Sequence, residues 1–130
     1  MTEKDKKILK KIVAKQLELS SIINDFNLKS ASDLGTVNPV VRRGFVGFVA
    51  DIFELTVPLS DNTKMLLPFN NAVMKEFRNT VSHQYGSGTN IIAYACLQHC
   101  TDKTLVSAIK NLLEDDNNNK KAEDTDGHTD

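Results

Sequence analysis

The segment from Asn38 to Pro58 constrains the fold more than any other part of this chain. Asparagine is a preferred helix cap, and proline at the first helical position already has helical geometry. Val41, Phe45, Phe48, Ile52 and Leu55 follow at helical spacing, Val49 reinforces the stripe, and Pro58 stops it. The rest of the chain repeats this pattern.

Thr2, with Asp5 three residues on, resembles a capping box. It opens a first helix whose apolar stripe runs through Ile8, Ile12, Leu19, Ile22 and Phe26. Residues 27–36 read as a polar connection in which Gly35 permits a tight turn. Ser60 to Pro68 is a connector with room for one helical turn, because Pro68 forbids a long helix through it. A further helix starts near Asn70 or Asn71 and buries Val73, Met74, Phe77 and Val81, and Gly86 can supply its left-handed cap. Thr89 or Asn90 then starts a short apolar helix through Ile91, Ile92, Ala95 and Cys96. Thr101 or Asp102 starts a last one carrying Leu105, Ile109, Leu112 and Leu113.

With no internal repeat and no strand pair, the expected class is all-α, an antiparallel four- or five-helix bundle over residues 1–113. Residues 114–130 hold one alanine and no larger apolar residue. That is too little apolar surface to offset ordering entropy, so a disordered polar and acidic tail is expected there.

At 130 residues the chain fits one domain with one core. A formal net charge of −1 gives no global basic field of the kind that attracts nucleic acid. The distribution is uneven, with Lys4, Lys6, Lys7, Lys10, Lys11 and Lys15 crowding the start. Arg42, Arg43, Asp51 and Glu54 interrupt the most hydrophobic stretch, so no membrane span is expected. The lysine-rich start lacks the apolar region and cleavage site of a secretory signal. Two cysteines, Cys96 and Cys100, make no disulfide framework. A cytoplasmic protein without a membrane partner is the expectation.

The chemistry is concentrated in Arg78-Asn79-Thr80-Val81-Ser82-His83-Gln84-Tyr85. Arginine offers a planar fork matched to phosphate oxygens, and histidine changes charge near physiological pH. Tyrosine can stack on a base or donate a hydrogen bond. At roughly 100° per residue, Arg78 and His83 stand roughly 140° apart around one helix. Asn79 and His83, four residues apart, do share a face, so the amide could orient the imidazole. Convergence of Arg78 and His83 needs either a distorted helix end near Gly86 or a second copy of the motif across an interface.

The run has the form R-N-x3-H-x-Y and resembles the signature of the HEPN superfamily, most closely its HepT-like (DUF86) branch. The likeness extends over roughly residues 5–113. Arg42-Arg43 and Phe53-Glu54-Leu55 are similar to the family's second helix, with Phe53 where that helix has a glycine, and Leu59-Ser60 matches its closing turn. Lys75-Glu76-Phe77 leads into Arg78-Asn79 as in the family.

The resemblance implies a metal-independent endoribonuclease toxin that cleaves tRNA or mRNA without a cofactor. It also implies a homodimer with a composite cleft and a nucleotidyltransferase antitoxin as partner. Arg78 and His83 are then catalytic, with Asn79 and Tyr85 in support. Tyr85 could help place RNA, or it could be the tyrosine that the antitoxin AMPylates. A non-catalytic HEPN module that binds a nucleotidyltransferase, nucleotide or RNA is the alternative.

Other signals are weaker. Cys96, His99 and Cys100 share a helix face, yet three ligands without a fourth make a poor zinc site, and buried thiols are the preferred reading. Gly86-Ser87-Gly88-Thr89 lacks the lysine and the preceding strand of a phosphate-binding loop, so it reads as a turn between helices. Ser82 beside His83 is no catalytic triad, because neighbouring helical residues point apart. The N-terminal lysines read as a solvated helix face, and the acidic tail as a solubilising one.

Overall fold

The computed structural model describes the backbone of residues 1–83 and 87–128, and the side chains of residues 1–80 and 89–118. Among these residues the chain is all-α, a helical bundle with no strand. The helices are α1 (Glu3–Asp25), α2 (Ala31–Thr36), α3 (Pro39–Thr56), α4 (Asp61–Leu66), α5 (Asn71–His83), α6 (Ser87–Cys100) and α7 (Lys103–His128). Five are long, and α2 and α4 are six-residue pieces. No described helix is long and apolar enough to cross a membrane.

Caps written in the sequence set most of these boundaries. The Asn38 side chain accepts from the Val40 N–H at 2.8 Å, and Pro39 opens α3, which ends at Thr56 two residues before Pro58. The Asp102 carboxylate accepts from the Thr104 and Leu105 N–H groups and so starts α7. Ser60 caps α4, which ends before Pro68.

Packing follows from the stripes. α1 lies against α3 and α7, while α6 contacts α2, α3 and α5. Leu9, Ile12 and Leu19 of α1, Val49 and Ile52 of α3, and Ile109 of α7 are fully buried in the shared core. Phe26, expected in the buried stripe, is 47% exposed at the end of α1, where its ring meets the edge of Phe45 at 5.7 Å.

Two boundaries differ from the sequence expectation. The connection over residues 27–36 contains α2, because Ser30 accepts from the Asp33 N–H while Asp33 accepts from the Lys29 N–H at 2.8 Å. This reciprocal arrangement satisfies donors that would otherwise be left open. The left-handed residue there is Asn27, with φ 52°, rather than Gly35. Gly35 serves close approach instead, since a Cβ on it would stand 3.2 Å from the Asn90 amide nitrogen on α6.

α6 starts at Ser87, so Thr89 and Asn90 lie inside it rather than capping it. The proposed cap at Gly86 lies outside the described residues. α7 continues past residue 113 through His128. Asp116 is drawn onto α1 by an ion pair with Lys6, whose side chain is only 7% exposed. This pair ties the first turns of α1 to α7 at residue 116.

Candidate functional site on helix α5

α5 is held at its start, at its middle and along its buried side. Asn70 caps it, its side-chain oxygen accepting from the Ala72 and Val73 N–H groups at 3.0 and 3.1 Å. The Asn70 N–H in turn donates to His99 Nε2 at 3.1 Å, and Phe69 meets the His99 ring edge-on at 5.8 Å. Burial lowers the His99 pKa below its ordinary value, against an opposing pull from Asp102. The ring is therefore a neutral acceptor at the foot of α5. Phe77 packs edge-to-face on Phe53 of α3, with centroids 5.4 Å apart. Both rings are buried, so Phe53 of α3 serves as the anchor for α5.

Anchoring Met74 and Phe77 inward turns Arg78 and Asn79 outward, and both are exposed. Arg78 is 45% exposed and meets Glu54 of α3 at 3.7 Å. The pair is long and open to solvent, so it holds Arg78 weakly and leaves it available to a better anion. His83 is the last residue of α5, and its side chain lies outside the described residues, as does all of Tyr85. Arg78 and His83 thus stand on one helix, and the expected convergence of their side chains concerns residues beyond those described.

Beside Arg78 the structure opens a cavity of about 500 Å³. It lies where the end of α3, the second half of α4 and the first half of α5 meet, and Thr56, Lys64, Leu67, Phe69 and Met74 line it together with Arg78. Thr56, Leu67 and Met74 are buried and form its floor. Val57 and Met65 stand at its rim, 51% and 84% exposed. No sequence signal marked Lys64 as part of this site. It lies on α4, in the connector before Pro68, and shares the cavity lining with Arg78.

Cys96 and Cys100 are buried free thiols. Burial, with a smaller contribution from the Glu76 charge, pushes Cys96 up to about 12, and burial raises Cys100 as well. Neither is a reactive thiolate at neutral pH. His99 is engaged with Asn70, and among the described residues no cluster of histidine, cysteine or acidic side chains could hold a metal ion.

Comparison of the chain with protein-family models, with curated proteins and with solved structures finds no match.

Proposed function

We propose that this chain is a HEPN-type, HepT-like endoribonuclease that acts without a metal. In this reading it works as a homodimer and is restrained by a nucleotidyltransferase antitoxin. The observation that carries the reading is Arg78, presented on the outward face of a firmly anchored helix, weakly paired and at the mouth of a cavity. In the same sequence run His83 ends that helix.

The chemistry follows from the two residue types. His83 accepts the proton of an RNA 2′-hydroxyl as that oxygen attacks the adjacent phosphorus. The bond from phosphorus to the 5′-oxygen breaks, and the leaving oxygen takes a proton from an imidazolium. A 2′,3′-cyclic phosphate and a 5′-hydroxyl result. Arg78 neutralises the charge that develops on the phosphoryl oxygens, the type of contact that is strongest where it is preorganised. In a two-fold dimer the second copy brings its own Arg78 and His83, so that Arg78 of one copy can work with His83 of the other. Asn79 supports the imidazole, and Tyr85 either places RNA or receives an adenylate that would block the cleft.

Cleavage of total tRNA and mRNA in EDTA tests this. The native protein should cut, and Arg78→Ala and His83→Ala should each lose at least about a hundredfold in rate. Undiminished cleavage by His83→Ala would sink the proposal.

A further inference from the structure

From the cavity beside Arg78 we infer a nucleotide subsite: one unpaired nucleobase of single-stranded RNA enters it while Lys64 and Arg78 hold that nucleotide's phosphate. The choice of RNA as the source of the nucleotide rests on the ribonuclease reading. The site itself rests on the composition of the cavity.

The volume, about 500 Å³, falls within the range of small-molecule sites. Its walls are divided in a way that matches a nucleotide. Leu67 and Met74 give an apolar floor, half-buried Phe69 gives an aromatic wall, and both suit the face of a planar ring. Met65 is 84% exposed on a six-residue helix at the rim. A flexible thioether there can close over an aromatic ring, a favourable contact for sulfur. Asn71 supplies an amide for the edge of a base, and Thr56, whose hydroxyl donates to the Phe53 carbonyl, can still accept.

Charge then distinguishes this site from a purely apolar groove. Lys64 and Arg78 come from different helices, and both line the same cavity. The start of α5 at Asn71 adds the positive end of a helix dipole to the same wall. The acidic group facing Arg78 is Glu54, 70% exposed and 3.7 Å away. A phosphate can displace it, because an exposed pair of that length is weak while a bidentate arginine–phosphate contact is strong. A neutral peptide would leave Lys64 and Arg78 without the phosphate that a nucleotide carries beside its planar ring.

The test uses the methionines as reporters in the full chain. Met65 and Met74 line the cavity, and Met1 lies outside its lining. Protein carrying His83→Ala and methyl-labelled methionine would be titrated with AMP, GMP, CMP and UMP at millimolar concentrations, followed by NMR. The Met65 and Met74 methyl resonances should move while Met1 stays still, with different affinities for purines and pyrimidines. Lys64→Ala, at an exposed position, should weaken binding by about tenfold. In cleavage-competent protein the same substitution should raise KM more than it lowers kcat.

Static Met65 and Met74 resonances would overturn the inference. So would equal shifts from inorganic phosphate alone, or shifts that follow protein concentration rather than nucleotide and assign the cavity to a second copy. The outcomes separate the two readings: methyl shifts without RNA cleavage would keep the subsite and end the ribonuclease reading. Cleavage with static methyls would do the reverse.

Discussion

Asp5 shows how a single residue can carry more than its sequence position suggests. Its N–H donates to Thr2 Oγ1 at 3.0 Å, half of the capping arrangement expected at the start of α1. Its carboxylate goes elsewhere. It accepts from Ser60 Oγ at 2.6 Å, Thr63 Oγ1 at 2.7 Å and the Ser60 N–H at 3.2 Å, which ties the start of α1 to the start of α4. Burial favours the neutral acid, but these hydrogen bonds together outweigh it and hold the carboxyl below its ordinary value. The folded state therefore releases this proton more readily than the unfolded state does. Its contribution is present above the ordinary carboxylate pKa and is lost as pH falls through the lowered folded value. Asp5→Asn should cost about 2 kcal/mol in urea unfolding at neutral pH, since the buried Thr63 hydroxyl and the Ser60 hydroxyl lose their charged acceptor. It should also flatten the acid limb of the stability curve. No local pattern could reveal this, because the partners lie 55 and 58 residues away.

At the scale of the element, α5 is where fold and proposed chemistry meet. Its apolar line, Met74 and Phe77, was legible because helical spacing marks an inward face. The start at Asn70-Asn71 was legible because the cap is local. The hold of His99 on Asn70 was not, since it depends on α6 crossing the foot of α5. That contact has a pH signature. His99 has its pKa lowered from 6.5 by burial, so the unfolded chain takes up a proton first as pH falls. Stability is thus fully present above the unfolded value and declines as pH drops below it toward the lowered folded one. Protonation also turns the Nε2 acceptor into a donor facing the Asn70 N–H. NMR titration should give His99 a midpoint below that of unfolded histidine, with the Asn70 amide shifting in step. His99→Phe should remove this part of the pH slope. The aromatic anchor gives a second expectation: Phe77→Ala should lower stability by about 3–5 kcal/mol. A double-mutant cycle with Phe53→Ala should show about 1 kcal/mol of direct coupling.

For the whole molecule, the bundle class could be read from stripes and caps, whereas its cavity could not. Asp116 reaches back to Lys6 and ties α7 to α1. Hydrogen bonding to Lys6, aided by its charge, holds the Asp116 carboxyl below its ordinary value despite some opposing desolvation. A chain ending at residue 113 should accordingly melt at a lower temperature than one ending at 118, a comparison that differential scanning calorimetry makes directly. The cavity is lined jointly by the ends of α3 and α4 and by α5, a placement that no local pattern reveals.

Helical geometry raises the remaining question of whether one chain suffices. Residues five apart diverge by roughly 140° around a helix, so Arg78 and His83 on one regular α5 cannot both face one phosphate. If two copies build the site, Arg78→Ala protein mixed with His83→Ala protein and allowed to exchange subunits should form mixed dimers. Such dimers hold one intact arginine and one intact histidine, drawn from different copies. Cleavage by the mixture should then exceed the sum of the separate variants, and specific activity of the native protein should fall on dilution as dimers dissociate. A mixture no better than its parts, with native activity independent of dilution, would place both residues at a site within one chain. That would require the end of α5 to depart from regular helix.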